Sequence, residues 1–463
     1  MFYIFNRRFS PKQVFIVLSE GCVIFAAALL SAAIRLRLDH GSVAHYDPAF
    51  LKTGAITVTY LLSFSAFDLY TAEMYRPGRL MFVKLLAAAL AATLALSSIF
   101  YLMPIFFTWR GILLINTIVV PAAVLLWRWL FGSMSKQLPT KNVLIIGSEG
   151  LAKKIGQDIY RSTWDGFKLV GFIDDDPMKQ GVSIVNPGVI GGYGDIMRVI
   201  DAEKIDMIIV ALPDRRAKLP MSALLDCKLK GVEIEEGETF NERMTGQIPL
   251  NHLKPSWMVF SDGFKSLRSR KIVKRVFDLT LAAVCLVISV PVMVLAAVII
   301  KLESKGPAIF KQVRVGENGR PFNIYKFRSM RADAEAKSGP VWAGATDDRV
   351  TRVGRVIRKI RVDELPQLIN VMKGDMSFVG PRPERPFFVD KLKDVIPYYE
   401  IRTVVKPGIT GWAQIKYPYG ATVQDALEKL QYDIYYIKNM SPLMDLMIFL
   451  RTVKVVLTGR GAR

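Results

Sequence analysis

Between positions 361 and 386 the chain reads RVDELPQLINVMKGDMSFVGPRPERP, which sets two adjacent carboxylates, Asp363 and Glu364, ahead of an arginine held between prolines. Neighbouring side chains on a helix diverge by about 100°, so this pair does not make the facing carboxylates that glycoside hydrolysis uses. Pro366 suits the first turn of a helix, which predicts Asp363 as the cap of a helix running through Leu365, Leu368 and Ile369. A lone aspartate there is ordinarily no more than a cap. Two features raise the pair above that reading. A helix N-terminus favours carboxylate and phosphate together, and Asp363 with Glu364 can hold a divalent cation that bridges them to a diphosphate. Arg382, fixed between Pro381 and Pro383, presents a guanidinium of restricted freedom, suited to bidentate phosphate recognition. The competing reading is a proline-rich surface turn.

Elimination narrows the nucleophile. No histidine follows His252, and the only cysteine beyond it is Cys285, inside an apolar run. Ser-His, Cys-His and histidine-phosphate mechanisms therefore lack a participant in this region. A carboxylate attacking phosphorus to give an acyl phosphate is left. Just upstream, TRVGRVIRKIRV (351–362) alternates Val353, Val356, Ile357 and Ile360 with Arg352, Arg355, Arg358 and Arg361, the pattern of a basic amphipathic helix lying on a membrane. Contact with solvent or head groups accounts for most of these arginines. Arg358 and Arg361 are the exceptions, because the next turn carries the carboxylates.

The elements that must position these groups are largely membranous. Of 463 residues 51% are hydrophobic, and Lys plus Arg exceed Asp plus Glu by 62 to 41, a balance suited to anionic lipid or a phosphorylated substrate. Three scattered cysteines suggest neither a disulfide framework nor a zinc site. Apolar runs at 14–34, 54–67, 85–103 and 111–130 predict four membrane helices; the second is short against the ~20 residues a span needs. The first lacks a clear cleavage site and reads as a retained anchor. Basic residues before the first (Arg7, Arg8, Lys12), between the second and third (Arg76, Arg79, Lys84) and after the fourth (Arg128, Lys136, Lys141) place both ends inside; Arg35 and Arg37 argue the other way, more weakly.

KNVLIIGSEG, GFIDDD and IDMIIVALP then announce a parallel α/β domain over 140–250. Its glycine turn is degenerate, with Glu149 where a dinucleotide fingerprint needs its second glycine, so a structural or regulatory domain is favoured over a cofactor site. A fifth apolar run, 279–300, is flanked by basic residues on both sides, from Lys265 to Arg275 and from Lys301 to Arg314. That predicts a helix that enters and returns over about 275–302, bent at Pro291, with Ser289 satisfying a freed carbonyl. The expected architecture is a four-helix transmembrane domain (1–135), a Rossmann-like α/β domain (140–250) and an α-rich cytoplasmic catalytic domain with interfacial amphipathic helices (271–463).

Several motifs in order, KRVFD (274–278), GPAIFKQVRVG (306–316), YKFRSM (325–330), DELPQL (363–368), GDMSFVGPRP (374–383), KPGITGWAQI (406–415) and YDIYYIKN (432–439), make the chain resemble the bacterial monotopic phosphoglycosyltransferases, also called polyprenyl-phosphate hexose-1-phosphate transferases or bacterial sugar transferases. Four spans before an α/β domain resemble the long form, and the C-terminal segment looks most like a subgroup associated with exopolysaccharide loci of PEP-CTERM systems. The resemblance implies transfer of a sugar phosphate from a UDP-sugar to undecaprenyl phosphate at the inner membrane, releasing UMP. It also implies Asp363 as nucleophile, Mg2+ on the Asp-Glu pair, Glu364 orienting the site or assisting proton transfer, and Arg358 and Arg382 on phosphates. Lys326 and Arg328 of YKFRSM, with Arg361 and Arg385, complete the expected phosphate-binding set. One departure is that Val290 separates Ser289 from Pro291, where the family often has Ser-Pro adjacent.

Two rivals are weighed against this. A membrane-bound NAD-dependent epimerase or dehydratase needs an intact fingerprint and a Tyr-x-x-x-Lys pair, and no tyrosine here has lysine four places on. A membrane scaffold whose α/β module senses a nucleotide leaves DELPQL and GPRPERP without a purpose. Nucleic acid is not an expected partner, because the basic residues cluster beside apolar runs without a nucleic-acid motif. Membrane lipids are. The identity of the sugar and the existence of a homo-oligomer are left open by the sequence.

Overall fold

The computed structural model describes residues 2–4, 7–9, 11–38, 49–67, 69–70, 78–102, 110–134, 140–161, 166–212, 219–250, 264, 268–331, 349–418, 420 and 422–458. Arg76, Lys136 and Lys265, cited above for topology, lie outside the described residues, as does the end of the C-terminal segment from 459 onward. The chain divides into two compact units, 1–244 and 245–463.

In the first unit, helices α1 (Pro11–Leu38), α2 (Ala49–Ala66), α3 (Arg79–Leu102) and α4 (Arg110–Met134) are each long and apolar enough to cross a membrane. Small residues let them approach: Ala27, Ala28, Ala88, Ala89 and Ala92 lie buried with Ile56, Tyr60, Phe64 and Val124. Arg128, read in the sequence as a flanking charge, is in fact buried in this bundle. Its guanidinium donates to Glu20 at 2.7 and 3.0 Å and to the Leu69 carbonyl at 3.1 Å.

The same unit carries a five-stranded parallel sheet. Its strands are β1 (Lys141–Ile146), β2 (Phe167–Ile173), β3 (Val189–Gly191), β4 (Met207–Val210) and β5 (Glu233–Glu236), in the spatial order β3-β2-β1-β4-β5. Helices α5 (Leu151–Arg161), α6 (Ile196–Glu203), α7 (Met221–Leu229) and α8 (Gly237–Thr245) follow β1, β3, β4 and β5 along the chain. Successive side chains of β1 alternate between two apolar layers, Val143 and Ile145 on one face and Leu144 and Ile146 on the other, as a sheet covered on both sides requires. After β1, Gly147 (φ 103°) turns the chain where its missing Cβ would meet the Ala211 carbonyl oxygen at 2.8 Å. Glu149 pairs with Lys179 at 2.8 Å, and Ser148 hydrogen-bonds Asp174.

In the second unit, the fifth long apolar helix, α9 (Arg268–Glu303), is continuous through Pro291. Ser289 donates to the Leu286 carbonyl at 3.2 Å, not to that of Val287, the group four residues before the proline. Near its start, Lys274 donates to the Val379 carbonyl and to Asp445. Arg275 donates to the carbonyls of Val371 and Met372, and Asp278 accepts the Phe378 amide. Near its end, Ala296 and Ile300 pack with Phe327, Ile357 and Val362, and Glu303 accepts the Val353 amide. Between these anchors Val287, Ile288, Val294 and Leu295 are exposed.

Around α9 lie an antiparallel hairpin, β6 (Ile309–Val315) with β7 (Pro321–Phe327), and the short helices α10 (Arg352–Lys359) and α11 (Gln367–Lys373). A parallel pair, β8 (Ser377–Val379) with β9 (Gly408–Thr410), follows, together with helices α12 (Pro386–Val395), α13 (Trp412–Lys416), α14 (Val423–Asn439) and α15 (Pro442–Thr458). Apart from α10, whose Ile357 packs in the smaller cluster at the end of α9, their apolar faces meet in one core that includes Leu368, Val371, Phe378, Trp412, Ile434 and Tyr436.

Candidate active site

The expected helix cap at Asp363 is not what forms. Helix α10 stops at Lys359, Arg361 takes a left-handed conformation (φ 58°, ψ 20°), and Val362–Glu364 makes a single 3-10 turn before α11 begins at Gln367, with Pro366 at its N-cap. Left-handed backbone is costly for a residue with a Cβ, and such strain concentrates at sites where surrounding structure imposes it. The reversal ends one helix and starts the next within a few residues, so both carboxylates fall in a tight, buried corner. Asp363 and Glu364 are each 9% exposed.

The two acids have different surroundings. Glu364 is clamped: Arg382 donates to its Oε1 at 2.7 Å, Lys326 to the same oxygen at 3.1 Å, and Arg361 to Oε2 at 3.4 Å. Although burial opposes ionisation, these cations, Arg382 foremost, hold its carboxyl well below the usual carboxylate range. Asp363 makes no side-chain hydrogen bond or ion pair among the described residues. Burial first, and the charge of Glu364 second, push it up to about 6, against the pull of Lys326, Arg358 and Arg382. One carboxylate is thus committed to organising cations while its neighbour keeps both oxygens available.

Each cation arrives on its own element. Lys326 comes from β7, which is tied to α11 by the fully buried Asn370: its amide donates to the Asn323 carbonyl at 2.7 Å and its oxygen accepts the Tyr325 amide at 3.0 Å. Arg358, on α10, donates to Ser329 Oγ at 2.8 Å and lies close enough to Asp363 to favour its charged form. Gly354 permits this approach, since a Cβ there would meet the Ser329 carbonyl oxygen at 2.0 Å. Arg382 follows β8, whose close contact with β9 needs Gly380 and Gly408: a Cβ on Gly408 would fall 2.1 Å from the Gly380 nitrogen.

Of the residues expected from the sequence, Asp363, Glu364, Lys326, Arg358, Arg361 and Arg382 come together. Arg328 points elsewhere, donating to the carbonyls of Ser304 and Lys305 at 2.8 Å and so tying the hairpin to the end of α9. Arg385 occupies the N-cap position of α12. Pro381 and Pro383 flank Arg382 in the turn, and Ser289 and Pro291 lie within α9. Sequence reading overlooked Asn370, Ser329 and Arg402. Ser329 carried a signal as part of YKFRSM, and Asn370 as an amide between apolar residues of DELPQLINV.

No group of three or more His, Cys, Asp or Glu that could hold a metal occurs among the described residues. Mg2+ commonly takes one or two carboxylates and completes its shell with water and substrate phosphates, so a single open carboxylate suffices. Asp363 meets that need. Glu364 has both oxygens engaged by cations and would have to exchange one of them.

A buried acid without a hydrogen-bond partner among the described residues, a second acid holding three cations, and a long apolar helix packed against the same turn make an arrangement chemically suited to phosphate groups at a membrane surface. The bacterial sugar transferase model matches residues 269–459, and a CoA-binding domain model matches 65–226. The chain is 47% identical over 193 residues to the UDP-glucose:undecaprenyl-phosphate glucose-1-phosphate transferase of Caulobacter vibrioides, covering 41% of this chain and 71% of that protein. It is 44% identical over 243 residues to a UDP-N-acetylgalactosamine-undecaprenyl-phosphate N-acetylgalactosaminephosphotransferase of Aeromonas hydrophila, covering 52% of this chain and 56% of that protein. Over 338 residues it is 33% identical to an undecaprenyl-phosphate glucose phosphotransferase of Komagataeibacter xylinus, covering 71% of this chain. The chain spans 56% and 61% of the lengths of the last two relatives. The chain belongs to the bacterial sugar transferase family.

Proposed function

We propose that this chain transfers a sugar 1-phosphate from a UDP-sugar to undecaprenyl phosphate, releasing UMP and forming the lipid-linked diphosphate sugar that begins a surface glycan. The observation that carries this reading is the asymmetry of the pair: Asp363 unbonded and Glu364 held by Lys326, Arg361 and Arg382. An Asp363 oxygen attacks the sugar-linked phosphorus of the donor. The bond from that phosphorus to the bridging oxygen breaks, and the oxygen leaves with UMP. An oxygen of the lipid phosphate then attacks the aspartyl-linked phosphorus, the acyl phosphate bond breaks, and Asp363 is restored as a carboxylate. One anhydride is exchanged for another, so the protein need only position groups, neutralise charge and exclude water.

Arg382 and Lys326 stand within hydrogen-bond reach of Glu364 and can turn donors to incoming phosphate oxygens, while Arg358 flanks Asp363. Mg2+ on Asp363, when bound, would offset phosphate charge. The names of the relatives include both glucose and N-acetylgalactosamine transferases, and the donor sugar is assigned here only as a UDP-hexose.

The site is read as facing the cytoplasm, with α9 entering and leaving by the same surface. Support comes from its anchors. Lys274 and Arg275 near one end and Glu303 near the other bind a single unit, while the apolar middle is exposed. A straight helix of 36 residues would be about 54 Å long against a hydrocarbon core of about 30 Å, so a crossing would carry one anchored end away from that unit.

The test is to incubate detergent-purified protein with undecaprenyl phosphate, Mg2+ and a panel of UDP-sugars, and to quantify UMP and UDP separately. UMP from at least one donor, lost in Asp363→Asn, is the expected result. Release of UDP would mean plain glycosyl transfer. Neither nucleotide from any donor would favour the scaffold reading.

A further inference from the structure

The turn that presents Arg382 is held almost entirely through its carbonyls. Pro381 and Pro383 have no N–H to donate, and each carbonyl from 381 to 384 instead accepts a hydrogen bond from outside the turn. The Pro381 carbonyl accepts the Gly408 amide at 2.9 Å and that of Glu384 the Val315 amide at 2.9 Å. Arg314 donates to the Pro383 carbonyl at 3.1 Å. The carbonyl of Arg382 itself accepts from Arg402 Nη2 at 2.9 Å.

Arg402 belongs to a short 3-10 turn, Tyr399–Thr403, and its side chain is only 10% exposed. A buried guanidinium is tolerated when paired and fully bonded. Here its Nη2 lies 3.1 Å from Asp433 Oδ2, on α14, and its Nη1 donates to the Tyr399 hydroxyl at 2.5 Å. Asp433 is 2% exposed, and the proposed reaction has no use for it. A cleft lined by Gly316, Arg382, Glu384 and Arg402 opens beside the turn. The run goes from Asp433 to Arg402 by an ion pair, from Arg402 to the backbone of Arg382 by a hydrogen bond, and from the Arg382 guanidinium to Glu364 by another.

We propose that Arg402, anchored by Asp433, is a positioning residue that sets the Arg382 guanidinium against Glu364 and the donor phosphates by fixing the Arg382 carbonyl. This rests on the phosphosugar-transfer reading above. Lysine cannot reproduce the fork that reaches Asp433, Tyr399 and the carbonyl together. Misplacement of a catalytic group by about 1 Å costs on the order of 100-fold.

The experiment is a double-mutant cycle on the full-length, detergent-purified chain, reading kcat and KM for UMP release with Arg402→Lys, Arg382→Lys and the double variant. Asp433→Asn, with Arg382→Lys, provides a parallel cycle should Arg402→Lys fail to fold. Arg402→Lys should lower kcat roughly 10- to 100-fold with little change in KM, and Asp433→Asn should follow in the same direction. In the Arg382→Lys background either change should cost less than about threefold more, because the group it positions is already gone. Losses that multiply independently, or full activity in Arg402→Lys, would overturn the inference while leaving the reaction intact. Absence of UMP from the unaltered protein would overturn the reaction and the inference with it.

Discussion

Two adjacent carboxylates with opposite surroundings make a site whose parts can be told apart by titration. A nucleophilic Asp363 must be ionised, and burial beside Glu364 pushes it up to about 6. At limiting Mg2+ the rate of UMP release from UDP-sugar at low concentration should therefore fall tenfold per pH unit below about 6 and level off above it, and raising Mg2+, whose charge on Asp363 favours the ionised form, should move the limb to more acidic pH. The donor half-reaction is the one to follow, since a lipid phosphate titrates in the same range. Glu364→Gln removes a negative neighbour and releases Arg382, Lys326 and Arg361, so it should lower the rate yet move this limb to more acidic pH. A limb that stays put or moves to higher pH would show that Asp363 is not the titrating group. At this scale the sequence was legible where residue type carried the chemistry: Asp363, Glu364, Arg382 and Lys326 stand in short motifs. Arg402 was not legible, because a single arginine before KPGITG has no periodicity or spacing, and its importance comes from a carbonyl twenty residues away in sequence.

Among the elements, the sequence revealed which segments would be helical but not how they meet. The arginine period of 351–362 and Pro366 suggested two helices meeting at Asp363; the left-handed Arg361 instead inserts a 3-10 turn, an outcome imposed by packing rather than local preference. The β8–β9 pair is a second case, since two three-residue strands carry little pattern and owe their pairing to glycine contacts. Gly408→Ala should destabilise the catalytic unit by about 1–3 kcal/mol or more, because backbone on both sides blocks relief. Thermal unfolding in detergent would measure it, and an unchanged midpoint would contradict the close approach. For α9, single cysteines in place of Ser269 and Ser304 should both react with a membrane-impermeant thiol reagent only from the cytoplasmic side. Labelling of Ser304→Cys from the opposite side alone would establish a crossing.

For the molecule as a whole, apolar length and basic flanks made the membrane character readable, and the alternation of short buried strands did the same for the parallel sheet. Tertiary pairing was hidden. Glu20, unremarkable within its apolar run, and Arg128, which reads in the sequence as a flanking charge, are 1% and 3% exposed and hold the first and fourth helices together. Glu20→Ala removes the carboxylate that accepts two hydrogen bonds from the buried Arg128 guanidinium and should cost about 3–5 kcal/mol of bundle stability. Lower melting temperature and lower yield in membranes are the expected signs, and wild-type values for both would contradict the buried pair.

The central claim is that Asp363 itself carries the phosphosugar. With the acceptor lipid withheld, rapid mixing of the full-length protein with its UDP-sugar should release UMP in a burst of at most one per chain. Mass spectrometry should find a hexose phosphate on the peptide containing Asp363, discharged when undecaprenyl phosphate is added. No burst without acceptor under conditions of full turnover, or an adduct on another residue, would contradict the account.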